Sequence, residues 1–478
     1  MTDVSYEPVI GLEIHVQLAT RTKMFCACPT SFGDPPNTHT CPVCLGLPGA
    51  LPVANQRAVQ FGLMIGLAFE CQIAERSLFH RKNYFYPDNP KAYQISQYDV
   101  PLCRGGHLGE VRIHRVHLEE DAAKLNHLGQ SGRIHGADRS WVDFNRCGTP
   151  LVEIVTEPDL HSPEQAREWL VVLRETLHQI GVSDVNMAEG SLRCDANVSI
   201  RPAGTRELGT KTELKNMNSF AFLERGIRAE IDRQAEVLAG GGSVTQETLH
   251  FDPRTEALTP LRSKEEAHDY RYFPEPDLVP LLVTPSLLEQ ARHALPDELP
   301  SQRAQRFEHE LGLKHDRARE LAFRADLADY FERVLAAGDG ELAAVEVANW
   351  IPLLAARIGP EADPSSSLVT PESLAELATM VTAREVSRDA ARVVLDVLVQ
   401  EGGRPAEIVQ TRRLGAVTGG LEEVVDRAIA ADPAAAQQVR QGNAKALGPM
   451  VGFVMRETNG RADGGEVRRL LLERLTQN

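Results

Sequence analysis

From Ile10 to Leu18 the chain alternates without a break. Ile10, Leu12, Ile14, Val16 and Leu18 are apolar, and Gly11, Glu13, His15 and Gln17 stand between them. A period of two is the period of a β-strand, so one face of this segment is to be buried while the other presents Glu13 and His15 about 7 Å apart. The same geometry recurs in Asp195-Ala-Asn197-Val-Ser199-Ile-Arg201 and in Lys211, Glu213 and Lys215. Taken singly, each such face is usually the solvated side of an antiparallel sheet.

Two textures divide the chain. Up to about residue 290, short alternating runs such as SLRCDANVSI and GTKTELKNM are broken by Gly, Pro, Asn and Asp, which reads as strands. One helix stands out from Ser162 to Ile180. Ser162 caps it, Pro163 suits its first position, and Ala166, Trp169, Leu170, Leu173, Leu177 and Ile180 form one apolar stripe ended by Gly181. From about Pro285 helical periods rich in Ala, Leu, Glu and Arg take over, as in Leu321 to Leu335, the segment after Thr370-Pro371, and Glu385 to Val399; Gly402-Gly403-Arg404-Pro405 is a joint. The expected fold class is α+β: an N-terminal domain built on an antiparallel sheet over residues 1–294, an all-α helical domain over 295–404 and a small α-helical tail module over 405–478.

With 478 residues and 42% hydrophobic content there is ample material for packed cores. No uncharged apolar run reaches eighteen residues, and the first twenty lack a basic leader, so neither a membrane span nor a secretory signal is expected and the setting is cytoplasmic. The net charge of −16 argues against a surface coated with nucleic acid. It is uneven, however: residues 405–478 hold 10 Lys and Arg against 9 Asp and Glu, whereas the remainder carries −17. Contact with a phosphate backbone is therefore expected locally, through the tail.

Some motifs carry chemistry. In Leu151-Val-Glu153-Ile-Val155 an acidic residue inside an apolar strand needs a partner or a cation, and Glu119-Glu120-Asp121 are three consecutive acids that repel one another unless neutralised. Magnesium prefers carboxylate and water oxygens, so a sheet carrying Glu13, Glu119 or Glu120, and Glu153, with His15 beside them, is a candidate Mg-nucleotide platform. All eight cysteines precede residue 195. Cys26 and Cys28, then Cys41 and Cys44, bracket a loop with Gly33, Pro35, Pro36 and Asn37, the pattern of a zinc knuckle spanning 26–44. The segments 80–88 and 91–97 concentrate Arg81, Lys82, Tyr84, Tyr86 and amides without a clean period, which suits a loop lining a cleft. Gly204 to Thr212 nearly spells a phosphate-binding loop, but Thr210 interrupts it and a strand follows. No amidase pattern is legible, so ammonia, where the reaction needs it, is made elsewhere.

Several blocks in order resemble one family, the B subunit of the bacterial tRNA-dependent amidotransferase. They are GLEIHVQL (11–18), GLPGALPVAN (46–55), HRKNYFYPDNPKAYQISQ (80–97), HLEEDAAK (117–124), DFNRCGTPLVEIVTEPD (143–159), GSLRCDANVSIRP (190–202), TELKNMNSF (212–220), DYRYFPEPDL (269–278) and QGNAKALGPMVGFVMRETNGRAD (441–463). The resemblance covers essentially the full length. It implies a first domain shaped as a cradle similar to glutamine synthetase, and a two-step reaction. ATP with Mg2+ would phosphorylate the side-chain carboxylate of Asp-tRNA(Asn) or Glu-tRNA(Gln). Ammonia channelled from an amidase partner, the A subunit, would then displace the phosphate, in a heterotrimer completed by a small C subunit. Mapped onto this sequence, the resemblance implies metal and catalytic roles for Glu13, His15, Glu119 or Glu120, and Glu153, with Asp195 added, and nucleotide-side roles for Arg81, Lys82, Tyr84, Tyr86 and Lys215. Zn2+ on Cys26, Cys28, Cys41 and Cys44 would be structural, since only some members of the family carry these cysteines. The competing reading is a tRNA-binding adaptor of the same fold that has lost its kinase; the intact acidic motifs argue against it.

Overall fold

The computed structural model describes residues 5–128, 137–217, 219–263, 270–338, 340, 342–359, 362–416, 420–458 and 460–476. The chain separates into two compact units, Met1–Leu299 and Pro300–Asn478.

In the first unit the elements that place the site run, in order, β1 (Tyr6–Gln17), α1 (Gln56–Ala68), β2 (His80–Asn83), β3 (Tyr93–Ser96), β4 (Val111–Glu120), β5 (Pro150–Thr156), α2 (Pro163–Gln179), β6 (Leu192–Pro202), β7 (Thr212–Met217), α3 (Phe220–Ala239), β8 (Glu247–Asp252), β9 (Ala257–Ser263) and β10 (Phe273–Pro274). A ten-stranded sheet has β1 in its interior, between β5 and β6; β4 lies beyond β5, and β7, β8 and β9 follow β6. Among the described residues only β7 and β8 pair in parallel within this sheet. β2, β3 and β10 form a separate three-stranded sheet.

The period of two is realised as the sequence requires. Ile10, Leu12, Ile14 and Val16 are buried and join Leu63 of α1 and Trp169, Leu170, Leu173 and Leu177 of α2 in one apolar cluster. The helices thus cover one face of the sheet. The alternate residues of β1 are left for the other, which is what makes a polar site possible there. α2 begins as read: Ser162 Oγ accepts from the Gln165 backbone N–H at 3.1 Å and Pro163 opens the helix. Trp169 contributes its ring to the core while its indole N–H donates to the Leu108 carbonyl at 2.9 Å, so no polar atom is stranded by its burial.

The second unit is helical and holds two apolar clusters, one drawing on residues between Ala304 and Val409 and the other on residues between Val425 and Leu475. The run from Leu321 to Leu335 is not one helix. It is split between His315–Ala322 and Ala325–Ala337, because Arg324 takes an extended conformation and its guanidinium turns to Asp326. The helices Pro371–Thr382 and Arg388–Glu401 start on Thr370 and Ser387, whose hydroxyls accept from Ser373 and Ala390. Gly402 and Gly403 then adopt φ of 70° and 101°, which L side chains rarely accept, and Pro405 opens the next helix. Among the described residues no helix is long and apolar enough to cross a membrane.

Candidate active site

Register turns the alternation of separate strands into one constellation. His15 lies opposite Glu153 on β5 and opposite Arg193 on β6; Glu153 in turn faces His117 on β4, and Glu13 faces Asp195. A row His117–Glu153–His15–Arg193 therefore crosses four strands, with Glu13 and Asp195 one step along on one side. Glu119 shares the face because it stands two residues from His117.

The side chains converge. His15 Nε2 lies 3.4 Å from Glu153, 3.6 Å from Glu119 and 3.9 Å from Glu13. His117 Nε2 lies 3.6 Å from Glu153 and 3.8 Å from Glu119, and Arg115 Nη2 donates to Glu153 at 3.2 Å. Lys215 Nζ bridges Asp195 at 3.2 Å and Glu213 at 3.3 Å. The carboxylates form a floor, with Glu119 and Glu153 side chains 2% and 6% exposed, while Arg115, Lys215 and Arg193 at 31–38% stand as a more open cationic rim.

Electrostatics follow from this packing. Burial would lower the His15 pKa, but its hydrogen bond to Glu153 and the charges of Glu153, Glu119 and Glu13 outweigh it and raise it to about 9. Burial pushes Glu153 upward, yet the neighbouring His117 and His15 hold it well below its ordinary value. Glu119 is lowered in the same way, burial being overcome by the His117 hydrogen bond and by His15 and Lys82. Glu13 goes the other way, raised by burial and by the charge of Glu153. Lys82 stays cationic. Its burial opposes the charge, but Tyr272, Glu119 and Glu153 raise its pKa, and its ammonium stands 4.9 Å over the Tyr270 ring.

The donor set suits a hard divalent cation. Glu13, His15 and Asp195 form one group and His15, Glu119 and Glu153 another, in each of which the ligand atoms lie within 4.8 Å of one another. Carboxylate oxygens are the ligands magnesium prefers.

Not every expected residue joins this face. Glu120 is one step out of phase with Glu119, so strand alternation turns it away; Lys91 takes its carboxylate and the Ile95 backbone N–H donates to it at 2.9 Å. It is not grouped with the other acids. Arg81 likewise points away from Lys82. Its guanidinium is held by Glu275 through two bonds of 2.8 Å and packs 4.2 Å over Tyr93, so it acts as a strut between β2 and the chain after β10. Tyr84 packs edge-on against Tyr270 at 6.3 Å, whereas Tyr86 is exposed. Arg115, His117, Arg193, Tyr270 and Tyr272 are not among the residues that the sequence singles out. The first three continue alternations already visible around Glu119 and Asp195. The tyrosines reach the site from far along the chain, with Tyr272 stacked on Tyr98 at 4.3 Å, and no local pattern announces that.

The four knuckle cysteines come together within 4.8 Å, and Cys41 and Cys44 sulfurs are 3.9 Å apart. Hydrogen bonding from Cys26 holds the Cys44 thiol down at about 4, while the same interaction raises Cys26. The Cys41 backbone N–H points at the Cys44 sulfur at 3.2 Å, and the fully buried Lys23 places its ammonium 3.7 Å from it. One thiolate is thus prepared before any cation arrives, and four sulfurs of this kind suit tetrahedral zinc. Cys71, Cys103, Cys147 and Cys194 are buried thiols.

Residues 8–289 match the family described as the GatB/GatE catalytic domain, and residues 329–475 match the GatB domain. Three proteins named as the B subunit of aspartyl/glutamyl-tRNA(Asn/Gln) amidotransferase are similar across nearly their whole length. The one from Salinispora tropica is 50% identical over 98% of this chain and 96% of its own, that from Moorella thermoacetica 48% over 99% and 100%, and that from Geobacter sulfurreducens 46% over 99% and 100%. With an acidic floor under a cationic rim at the centre of the matched catalytic region, the chain belongs to the GatB/GatE family of tRNA amidotransferase B subunits.

Proposed function

We propose that this chain activates the side-chain carboxylate of a misacylated tRNA, Asp-tRNA(Asn) or Glu-tRNA(Gln), with ATP, and that the acyl phosphate is then amidated with ammonia from a partner amidase. The observation that carries this reading is the union of buried acids and cationic rim on one sheet face. A carboxylate is a poor acylating agent because its leaving group would be oxide; phosphorylation supplies one that leaves. The substrate carboxylate oxygen attacks the γ-phosphorus, the bond to the β-phosphate oxygen breaks, and ADP departs with the electron pair. Ammonia then attacks the acyl carbon, the bond to the phosphate oxygen breaks, and the nitrogen loses a proton as the amide forms.

Glu13, Glu119, Glu153 and Asp195 would hold magnesium, which offsets phosphate charge when bound. His15, 3.4–3.9 Å from Glu153, Glu119 and Glu13, would join them as a ligand. Lys82, Arg115 and Lys215 would neutralise the transferring phosphate, each fixed in advance by a pairing or a ring, so that little reorganisation is needed at the moment of transfer. The four cysteines would bind one structural zinc. The relatives are by name one component of a larger enzyme, and we extend this to an amidase, the A subunit, together with a small C subunit. The three-part division into 1–294, 295–404 and 405–478 belongs to the same proposal, with the tail as the tRNA handle.

Glu153→Gln tests it. The substitution removes one charge at nearly constant volume, and ADP formation dependent on misacylated tRNA should fall by about two to four orders of magnitude, while glutamine hydrolysis by the partner continues at its basal rate. Amidation at the unaltered rate would sink the assignment. An adaptor without kinase activity would consume no ATP even before substitution.

A further inference from the structure

The charges on the site face are not evenly placed. At one end Glu13, Asp195 and Glu213 gather round the Lys215 ammonium. At the other end the arrangement reverses. Asp121 is buried, and two guanidiniums converge on its one carboxylate: Arg193 Nη2 donates at 2.8 Å and Arg146 Nε lies 3.7 Å away, while Gln17 Nε2 donates at 2.7 Å. Arg146 is further occupied, donating to the Ala122 and Ala123 carbonyls at 2.9 Å each. Arg193 is not. Asp121 is its one acceptor among the described residues, and its Nε is buried without a partner.

Arg193 also lies directly across from His15, in the row that ends on the acidic floor. Its side chain is 38% exposed, so part of the guanidinium faces open space. Gln17 and Arg146, which both reach Asp121, also line a cleft of about 490 Å³, together with Thr149, Ser191, Asp184 and Glu189. A guanidinium offers five donors in a planar fork that matches a carboxylate; here Nη2 is pinned by Asp121 and Nε is buried, which leaves the Nη1 end for a ligand. An anionic substrate approaching an acidic floor needs such a cation to offset the repulsion.

We propose that Arg193, oriented by Asp121, which Gln17 in turn holds, is the residue that binds the side-chain carboxylate of the aminoacyl group. This rests on the reading of the site as one that phosphorylates that carboxylate, and it adds how the enzyme tells its substrate from its product. Product carries a neutral amide in place of the carboxylate at nearly the same size. A guanidinium prefers the charged group, so amidation itself loosens the hold and promotes release.

The test uses the assembled amidotransferase and competes misacylated tRNA against the corresponding amidated tRNA. The unaltered enzyme should favour the misacylated form. Arg193→Gln should abolish that preference and lower kcat/KM roughly 10- to 100-fold, chiefly through KM, because a hydrogen-bonded charge contact is lost from substrate and not from product. Equal weakening of both tRNAs, or a preference that survives, would overturn the proposal. Where Arg193→Gln proves unstable, Arg193→Lys decides the matter: it keeps the charge that Asp121 needs but loses the fork, and an unchanged KM for misacylated tRNA in that variant would equally overturn the proposal. ADP formation by the unaltered enzyme, measured alongside, reports on the kinase reading separately. If ADP forms and the preference ignores Arg193, only the inference fails.

Discussion

At the residue scale, the site is decided by which acids share a face, and this is why Glu119 and Glu120 have separate fates. Glu119 stands among His15, His117 and Glu153, whereas Glu120 is paired with Lys91, both side chains being almost fully buried. A buried pair is costly to break from one side, since the survivor is left as an uncompensated charge. Lys91→Met should therefore destabilise the chain by about 3–5 kcal/mol, and combining it with Glu120→Gln should restore a large part of that loss. Denaturant unfolding of the single and double variants checks it; a double variant no better than the single would mean that Lys91 acts through something other than the pair. The phase of Glu119 was legible in principle. Val116 and Leu118 mark the apolar side of β4, so His117 and Glu119 belong together and Glu120 does not. The run of three acids obscured that phase because the strand ends at Glu120.

Among elements, the strands of the first unit were the easiest to read and their pairing the hardest. A period of two announces a strand wherever it occurs, and α2 declared itself by cap, stripe and terminal glycine. Register is different, because the partner of His15 is 138 residues along on one side and 178 on the other, and no local pattern encodes such a match. Arg193 escapes a reading of the sequence for that reason: its neighbours Asp195 and Asn197 declare a shared face, but only the pairing with β1 brings Arg193 opposite His15. The knuckle, by contrast, is a local device whose spacing suffices. Replacing Cys41 and Cys44 together by Ser should abolish stoichiometric zinc in reduced, metal-replete protein and lower the thermal midpoint, with amidation affected only through stability. Metal analysis and a melting curve read the two effects, and an unaltered midpoint after loss of zinc would deny the knuckle a structural role. Lys23 ties this device to the sheet region, donating to the His39 carbonyl at 2.6 Å and the Phe144 carbonyl at 3.1 Å, a few residues before β5.

For the whole molecule, the imbalance of charge sets how an acidic protein can hold an acidic polymer. The tail carries 10 basic and 9 acidic residues against −17 elsewhere, and Arg440, Lys445, Arg456 and Arg468 lie on it. Arg469 is committed to Glu466 and Glu473, and Arg474 to Glu422, so these two are poorer candidates for phosphate. Deleting 405–478 should weaken tRNA binding and flatten its salt dependence, because fewer counterions are released on binding. Filter binding of misacylated tRNA across a salt series measures both, and an unchanged slope would place recognition wholly outside the tail. The position of β1 has a further consequence, in time. Its partners are β5, which begins at Pro150, and β6, which begins at Leu192, so the strand that carries Glu13 and His15 is synthesised well before anything that can pair with it. At roughly 5–20 residues per second, its two unpaired edges and the apolar row Ile10, Leu12, Ile14 and Val16 wait on the order of ten seconds on the ribosome. The most constrained strand of the finished enzyme is, during its birth, the one most in need of a chaperone.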